Sequence, residues 1–343
     1  MKAFVYHGDT KFSIDEISKP AAGPGDAIAR VLCASICGTD LRAFRFGNAK
    51  LKTPITVGHE ACFVITEVCA GTGIKTGDRC IIAPAIGCGT CKSCKKGRSN
   101  MCDTLKTIGF QYPGTFAEYM KIPALAVERG HLIKVPGNVS DTQACAVEPV
   151  ACAINAQSYL HIEPGDNVLI YGAGFLGCIH AELAITQGAG KVIVAEISEK
   201  RRNKVQKFVP DVHVVDSGQP DYKDVVKSIA GNVGVDVVIT AAPAGITHKD
   251  GLELLYKNGR MSLFGGLPGE DNDHLDSNLI HYKEAGVFGA HASTVAQVKQ
   301  ALDLVANGKL DVAKYITPFA FKDIEKAFGA LIDETAEKAV VIP

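Results

Sequence analysis

Cys37, His59 and a carboxylate from Glu60 or Glu148 together offer a soft, a borderline and a hard donor. Such a mixed set suits a zinc ion kept open for chemistry, because catalytic zinc takes three protein ligands and leaves one position for water or substrate. His59 and Glu60 belong to Thr56-Val57-Gly58-His59-Glu60, about twenty residues after Cys37, and Glu148 stands far downstream. Thr39, two residues past Cys37, carries a hydroxyl that both donates and accepts, so it could relay a substrate proton. It could equally cap a helix starting at Asp40.

A second cluster has a different character. Cys88-Gly89-Thr90-Cys91-Lys92-Ser93-Cys94 is followed by Cys102, with gaps of two, two and seven residues. Four thiolates from one short lobe can close a tetrahedron around zinc with no open position, which makes a structural site. A ferredoxin-type iron–sulfur run would need its fourth cysteine after three residues, followed by proline, whereas Asp103 follows Cys102.

The third chemical feature is Gly172-Ala173-Gly174-Phe175-Leu176-Gly177, which directly follows the apolar run Asn167–Tyr171. A helical stretch, Cys178 to Gln187, comes next, then a second apolar run, Lys191–Ala195, ending at Glu196. The acid lies 19 residues past the last glycine, the arrangement of a dinucleotide fold. Gly172 and Gly174 would let a pyrophosphate approach backbone N–H groups at the helix start, and Gly177 would let helix and sheet pack closely. Glu196 would accept hydrogen bonds from the ribose hydroxyls and repel a 2′-phosphate, so NAD is favoured over NADP. Lys200, Arg201 and Arg202 are the cations that could accommodate such a phosphate instead.

The elements that must carry these groups can be read from periodicity. Met1–Val5, Ala27–Cys33, Cys62–Val68 and Cys80–Ile82 look like short strands punctuated by glycine and proline, as in a partly open β-barrel. Beyond residue 150, strands at Asn167–Tyr171, Lys191–Ala195, Val235–Thr240 and Gly259–Gly266 alternate with helical patterns, as in an open, doubly wound parallel sheet. Helical spacing returns at Val295–Asn307 and Ile324–Ile332, and Lys338–Ile342 reads as a closing strand. The expected organisation is α/β: a catalytic domain over 1–150 to which 286–343 return, and a nucleotide-binding domain over 151–285.

Size and composition agree with two domains, since single cores stop growing near 250–300 residues and the chain has 343. A formal net charge of −1 gives no basic field for nucleic acid. No apolar run reaches bilayer thickness and the start reads as a strand rather than a signal peptide, so the cytoplasm is the expected compartment. The remaining cysteines, Cys33, Cys62, Cys69, Cys80, Cys145, Cys152 and Cys178, lie in apolar surroundings and read as small core residues.

Taken together, the chain resembles the zinc-dependent medium-chain alcohol and polyol dehydrogenases over essentially its whole length. Cys37-Gly38-Thr39-Asp40, Gly58-His59-Glu60, the four-cysteine lobe, Glu148-Pro149 and the glycine turn occur in that order. The resemblance implies a GroES-like partly open β-barrel plus a Rossmann domain, with the active site in the cleft between them. It implies catalytic zinc at Cys37 and His59, with Glu60 and Glu148 competing for the carboxylate role, and structural zinc at Cys88, Cys91, Cys94 and Cys102. Gly172, Gly174, Phe175, Leu176, Gly177, Glu196 and Arg201 match the cofactor turn and its surroundings.

Alcohol dehydrogenases proper place a cysteine where Glu148 stands, while sorbitol and threonine dehydrogenases place a glutamate. The implied reaction is therefore hydride transfer from a secondary alcohol of a polyol to NAD, giving a ketone. A threonine-like amino alcohol or a phosphorylated polyol is the alternative substrate, and a non-catalytic nucleotide-binding protein is the remote one. Relatives are commonly homodimers or homotetramers. Three departures are visible. Phe63 replaces a usual glycine, and Arg42 stands where many members carry a proton-accepting histidine. Arginine cannot act as that base. Leu279–Glu284 resembles a run in dehydrogenases of polyols and sugar-derived alcohols. Arg42, Arg45, Lys50 and Lys52 could bind a phosphate or form a solvated basic loop.

Overall fold

The computed structural model describes residues 1–68, 73–267 and 275–343, so Cys69 lies outside the described residues. Two units emerge: Met1–Ala151 together with Ala292–Pro343, and Cys152–His291.

In the first unit the apolar runs become strands around Ala27–Ser35, which belongs to a seven-stranded sheet. Ala27–Ser35 pairs antiparallel with Glu60–Glu67, with Tyr119–Ile122 and with the C-terminal strand Lys338–Ile342. That last strand arrives from the far end of the chain and sets Val340 opposite Ser35. Lys2–Gly8 pairs with Lys11–Glu16 and Ile55–Thr56 in a separate three-stranded sheet.

The inner faces bury one core containing Phe4, Phe63, Phe116 and Phe328. Phe63 therefore needs no special backbone. It pairs with Val31 in a regular strand, and a register shift in the facing strand between Val31 and Cys33 takes up the irregularity. Phe44 stacks on Phe328 at 4.5 Å between ring centroids, which seats the helix Gly38–Phe46 on the helix Ile324–Ile332.

The second unit is a six-stranded parallel sheet. Its strands are Asn167–Tyr171, Lys191–Glu196, His213–Asp216, Val235–Thr240, Leu255–Leu263 and Gly286–Gly289. Numbered in chain order they lie side by side as 3-2-1-4-5-6, the order of a dinucleotide-binding sheet. Val168, Leu169 and Ile170 have no exposed surface, as expected for a parallel strand covered on both faces. Gly286–Gly289 pairs with Arg260–Leu263, so residues expected to begin the C-terminal return complete this sheet instead, and the return starts at Ala292.

Of the cysteines read as core, Cys33, Cys62, Cys80, Cys145 and Cys178 are buried and Cys152 is half-buried. No helix among the described residues is long and apolar enough to cross a membrane.

Candidate active site and cofactor turn

Cys37 is the residue that caps the helix Gly38–Phe46 at its N-terminus, where the helix dipole favours an anionic donor. Asp40, not Thr39, takes the capping role: the Cys37 N–H donates to Asp40 Oδ2 at 3.1 Å. Thr39 is thereby left exposed, with its hydroxyl 3.8 Å from Cys37 Sγ. His59 comes from the turn before the strand Glu60–Glu67. Gly58 makes that turn with φ of 92°, and a Cβ there would sit 2.8 Å from Thr115 Oγ1. Glu60 opens the strand and points inward. Ligand atoms of Cys37, His59 and Glu60 all lie within 4.8 Å of one another. A tetrahedron with ~2.0–2.3 Å bonds separates its donors by about 3.3–3.8 Å.

Two of these groups carry buried polar atoms without a hydrogen-bond partner, His59 Nδ1 and Glu60 Oε1. Leaving such an atom unpaired costs about 1–3 kcal/mol or more. The other Glu60 oxygen is held by Ser35 Oγ and by Lys338 Nζ, which also donates to Ile36 O at 3.0 Å. Ser35 and Glu60 are fully buried and Lys338 is nearly so.

Burial alone would lower the His59 pKa, but Asp40, Cys37 and Glu148 hold it well above the usual value. Burial would likewise lower that of Lys338, and Glu60 outweighs it. The pocket therefore favours positive charge, and its donors fit a divalent cation. Glu148, in the first turn of the helix Val147–Gln157, is buried and close enough to act on His59 by its charge, but it is not one of the three converging ligands. Sequence reasoning missed Ser35 and Lys338 altogether and quoted Asp40 without a role. Arg42 is exposed on the helix Gly38–Phe46.

Cys88, Cys91, Cys94 and Cys102 also converge. Cys88 Sγ accepts N–H bonds from Thr90 at 3.4 Å and Cys91 at 3.3 Å, and Cys102 Sγ accepts from Cys88 at 3.2 Å and Thr104 at 3.4 Å. The Thr90 hydroxyl and these amides bring the Cys88 pKa down to about 5. Burial and the neighbouring thiols push Cys94 up to about 12. Four sulfurs converging at such range, with Cys88 held toward the anion, fit one shared cation.

In the second unit Gly172 adopts φ of 100° and a Cβ on Gly177 would lie 1.9 Å from Gly172 O, so the helix Phe175–Thr186 packs where only glycine fits. Glu196 Oε2 accepts from the Ala173 N–H and Oε1 from the Ser198 N–H, each at 2.9 Å, which ties the acid to the glycine turn. Arg201 is 4.0 Å from Glu196, whereas Arg202 is committed to Asp216 and the Glu196 and Ile197 carbonyls. A cavity of ≈ 190 Å³ beside the turn is lined by Gly172, Glu196, Ile197, Tyr222, Ile246 and Asp250, among others. Lys283, in the run Leu279–Glu284, donates to the carbonyls of Leu252, Glu253 and Leu255 at 2.7–2.9 Å and so caps the neighbouring helix Ile246–Leu254.

A mixed-donor metal pocket, a four-cysteine lobe and a dinucleotide turn define a zinc-dependent dehydrogenase class. Residues 23–136 match the alcohol dehydrogenase GroES-like domain and residues 176–307 match the zinc-binding dehydrogenase domain. The chain belongs to the zinc-binding medium-chain alcohol dehydrogenase family and is an oxidoreductase of that family. A sorbitol dehydrogenase of Halalkalibacterium halodurans is 29% identical, covering 100% of this chain and 99% of the relative. An L-threonine 3-dehydrogenase of Pyrococcus furiosus is 33% identical over 91% of this chain and 90% of its own. A zinc-binding dehydrogenase from Sinorhizobium meliloti, solved bound to NADP, is 29% identical with a TM-score of 0.89, covering 100% of this chain and 99% of that one.

Proposed function

We propose that the chain oxidises a secondary alcohol of a polyol such as sorbitol or xylitol to a ketone, reversibly, with NAD as hydride acceptor. The observation that carries this is the convergence of Cys37, His59 and Glu60, three unlike donors beside the exposed Thr39 hydroxyl. Bound there, zinc supplies Lewis acidity that lowers the pKa of an alcohol.

Cys37, His59 and the otherwise unpartnered Glu60 Oε1 are the three ligands in this reading, with Glu148 as an anion beyond them. Thr39 accepts the alcohol proton and hands it on to the cofactor ribose or to water, because Arg42 cannot take it. Ser35 and Lys338 hold the second Glu60 oxygen and so aim the first. Gly172, Gly174, Phe175, Leu176 and Gly177 receive the pyrophosphate, and Glu196 receives the ribose hydroxyls. Glu196, tied to two backbone amides, supports NAD, and Arg201 is the cation that NADP would need.

A polyol comes first because the sorbitol dehydrogenase relative matches over its full length. The threonine dehydrogenase relative, at 33% identity, keeps an amino alcohol as the second reading. NADH formation should be screened against polyols, their phosphates and L-threonine, with and without a zinc chelator. Turnover of sorbitol or xylitol that chelation abolishes is expected. Turnover of L-threonine alone would reassign the substrate, and chelator-resistant turnover would remove the metal reading. Light scattering should show a homodimer or homotetramer.

A further inference from the structure

Beside the glycine turn, the cavity contains a second carboxylate that neither pyrophosphate nor ribose binding uses. Asp250, on the helix Ile246–Leu254, is 6% exposed and lines the cavity together with Glu196. It is held from two sides. Tyr222 Oη donates to Oδ2, and Lys223 Nζ pairs with Oδ1 at 2.5 Å while also reaching Glu253 at 2.7 Å. Burial would lower the Lys223 pKa, but Asp250 and Glu253 raise it, so the clamp stays charged. Each carboxylate oxygen has two lone-pair sites, so a fixed Asp250 keeps capacity for another donor.

Apart from Glu196, Ser217 and Thr247, the rest of the lining is small or apolar, with Ala195, Ala242 and Ala244 among it. Ile197 and Ile246, which line the same cavity, are 71% and 56% exposed and so offer two apolar side chains on its rim against which a flat ring can lie. A flat ring with an N–H donor on its edge fits both features.

We propose that Asp250, clamped by Tyr222 and Lys223, accepts a hydrogen bond from the exocyclic 6-amino group of the cofactor's adenine, so that the protein selects a 6-aminopurine dinucleotide over its 6-oxo counterpart. The inference rests on the dinucleotide reading above and deepens it. A 6-oxopurine turns a carbonyl acceptor toward a carboxylate acceptor, loses the bond and adds repulsion. A merely apolar slot would accept both bases alike.

The full chain should be titrated with NADH and with reduced nicotinamide hypoxanthine dinucleotide, following nicotinamide fluorescence with no alcohol present. A hydrogen bond to a charged group should make NADH bind about ten- to a hundredfold tighter. In Asp250→Asn, whose amide can donate to the 6-oxo group, the preference should collapse or reverse. In Tyr222→Phe, which loosens the clamp, it should fall severalfold. Equal affinities in the wild-type protein overturn the proposal and leave the cofactor reading standing, whereas binding of neither dinucleotide overturns both. A full preference retained by folded Asp250→Asn removes Asp250 from the role. Should that variant not fold, the wild-type comparison and Tyr222→Phe decide.

Discussion

Replacing Lys338 by methionine probes the charge balance under the metal pocket. Methionine keeps most of the side chain's length and its apolar stem but deletes the cation that meets Glu60. Both members of the pair are almost wholly buried, at 4% and 0% side-chain exposure, so water cannot compensate. Breaking such a pair from one side costs about 3–5 kcal/mol, because a buried charge is left unpaired. That lowers the folding equilibrium by two to nearly four powers of ten. At ~2–4 °C per kcal/mol for a unit of this size, melting should fall by roughly 6–20 °C.

The assay is thermal unfolding of metal-free protein, repeated with zinc added, on Lys338→Met, Glu60→Gln and the double variant. The double variant should be more stable than the sum of the single losses allows, since it removes the uncompensated charge. Added zinc should recover part of the Lys338→Met loss, because a cation then meets Glu60 from the other oxygen. A Lys338→Met protein melting within ~2 °C of the wild type, zinc or none, would refute the reasoning.

Elemental analysis should find two zinc ions per chain, one in Cys91→Ser and one in Cys37→Ser, with dehydrogenase activity lost in the second. Unchanged metal content in either variant would dissolve the assignment. In Gly177→Ala, whose new Cβ would stand 1.9 Å from Gly172 O, the cost should be at least ~1–3 kcal/mol of stability with weakened NADH binding; wild-type affinity counts against the turn. His180 is fully buried, and burial brings its pKa down to about 3. The unfolded chain takes up that proton near pH 6.5, so stability should fall by up to ~1.4 kcal/mol per pH unit as pH drops from 6.5 toward 3. Urea melts across that range should lose this one-proton slope in His180→Gln, and an unchanged slope would show that the proton goes elsewhere.

Local features were legible in the residues themselves. The four-cysteine lobe and the glycine turn each declare their chemistry within fifteen or so residues, and the continuous apolar runs of the parallel sheet could only be buried strands. Gly286–Gly289 escaped because four residues bracketed by glycines carry too little pattern to separate a sixth strand from a loop. The choice between Glu60 and Glu148 could not be read either, since it depends on how the strand Glu60–Glu67 registers against Ala27–Ser35. The structure sets Glu60 opposite Ser35 in that ladder. Lys338 was hidden most completely. At the head of an apolar strand it looks like an ordinary solvated end, and nothing local reveals a partner 278 residues away.

That separation also orders the birth of the molecule. The ribosome makes the strand bearing Glu60 first and the residue that neutralises it 278 residues later, with the whole nucleotide-binding unit translated between them. Growing chains generally fold domain by domain from the N-terminus, yet here the first unit cannot reach its final electrostatic balance until Lys338–Ile342 emerges and docks. Until then its inner carboxylate lacks the cation that holds it, and a nascent chain arrested short of residue 338 carries an unfinished pocket.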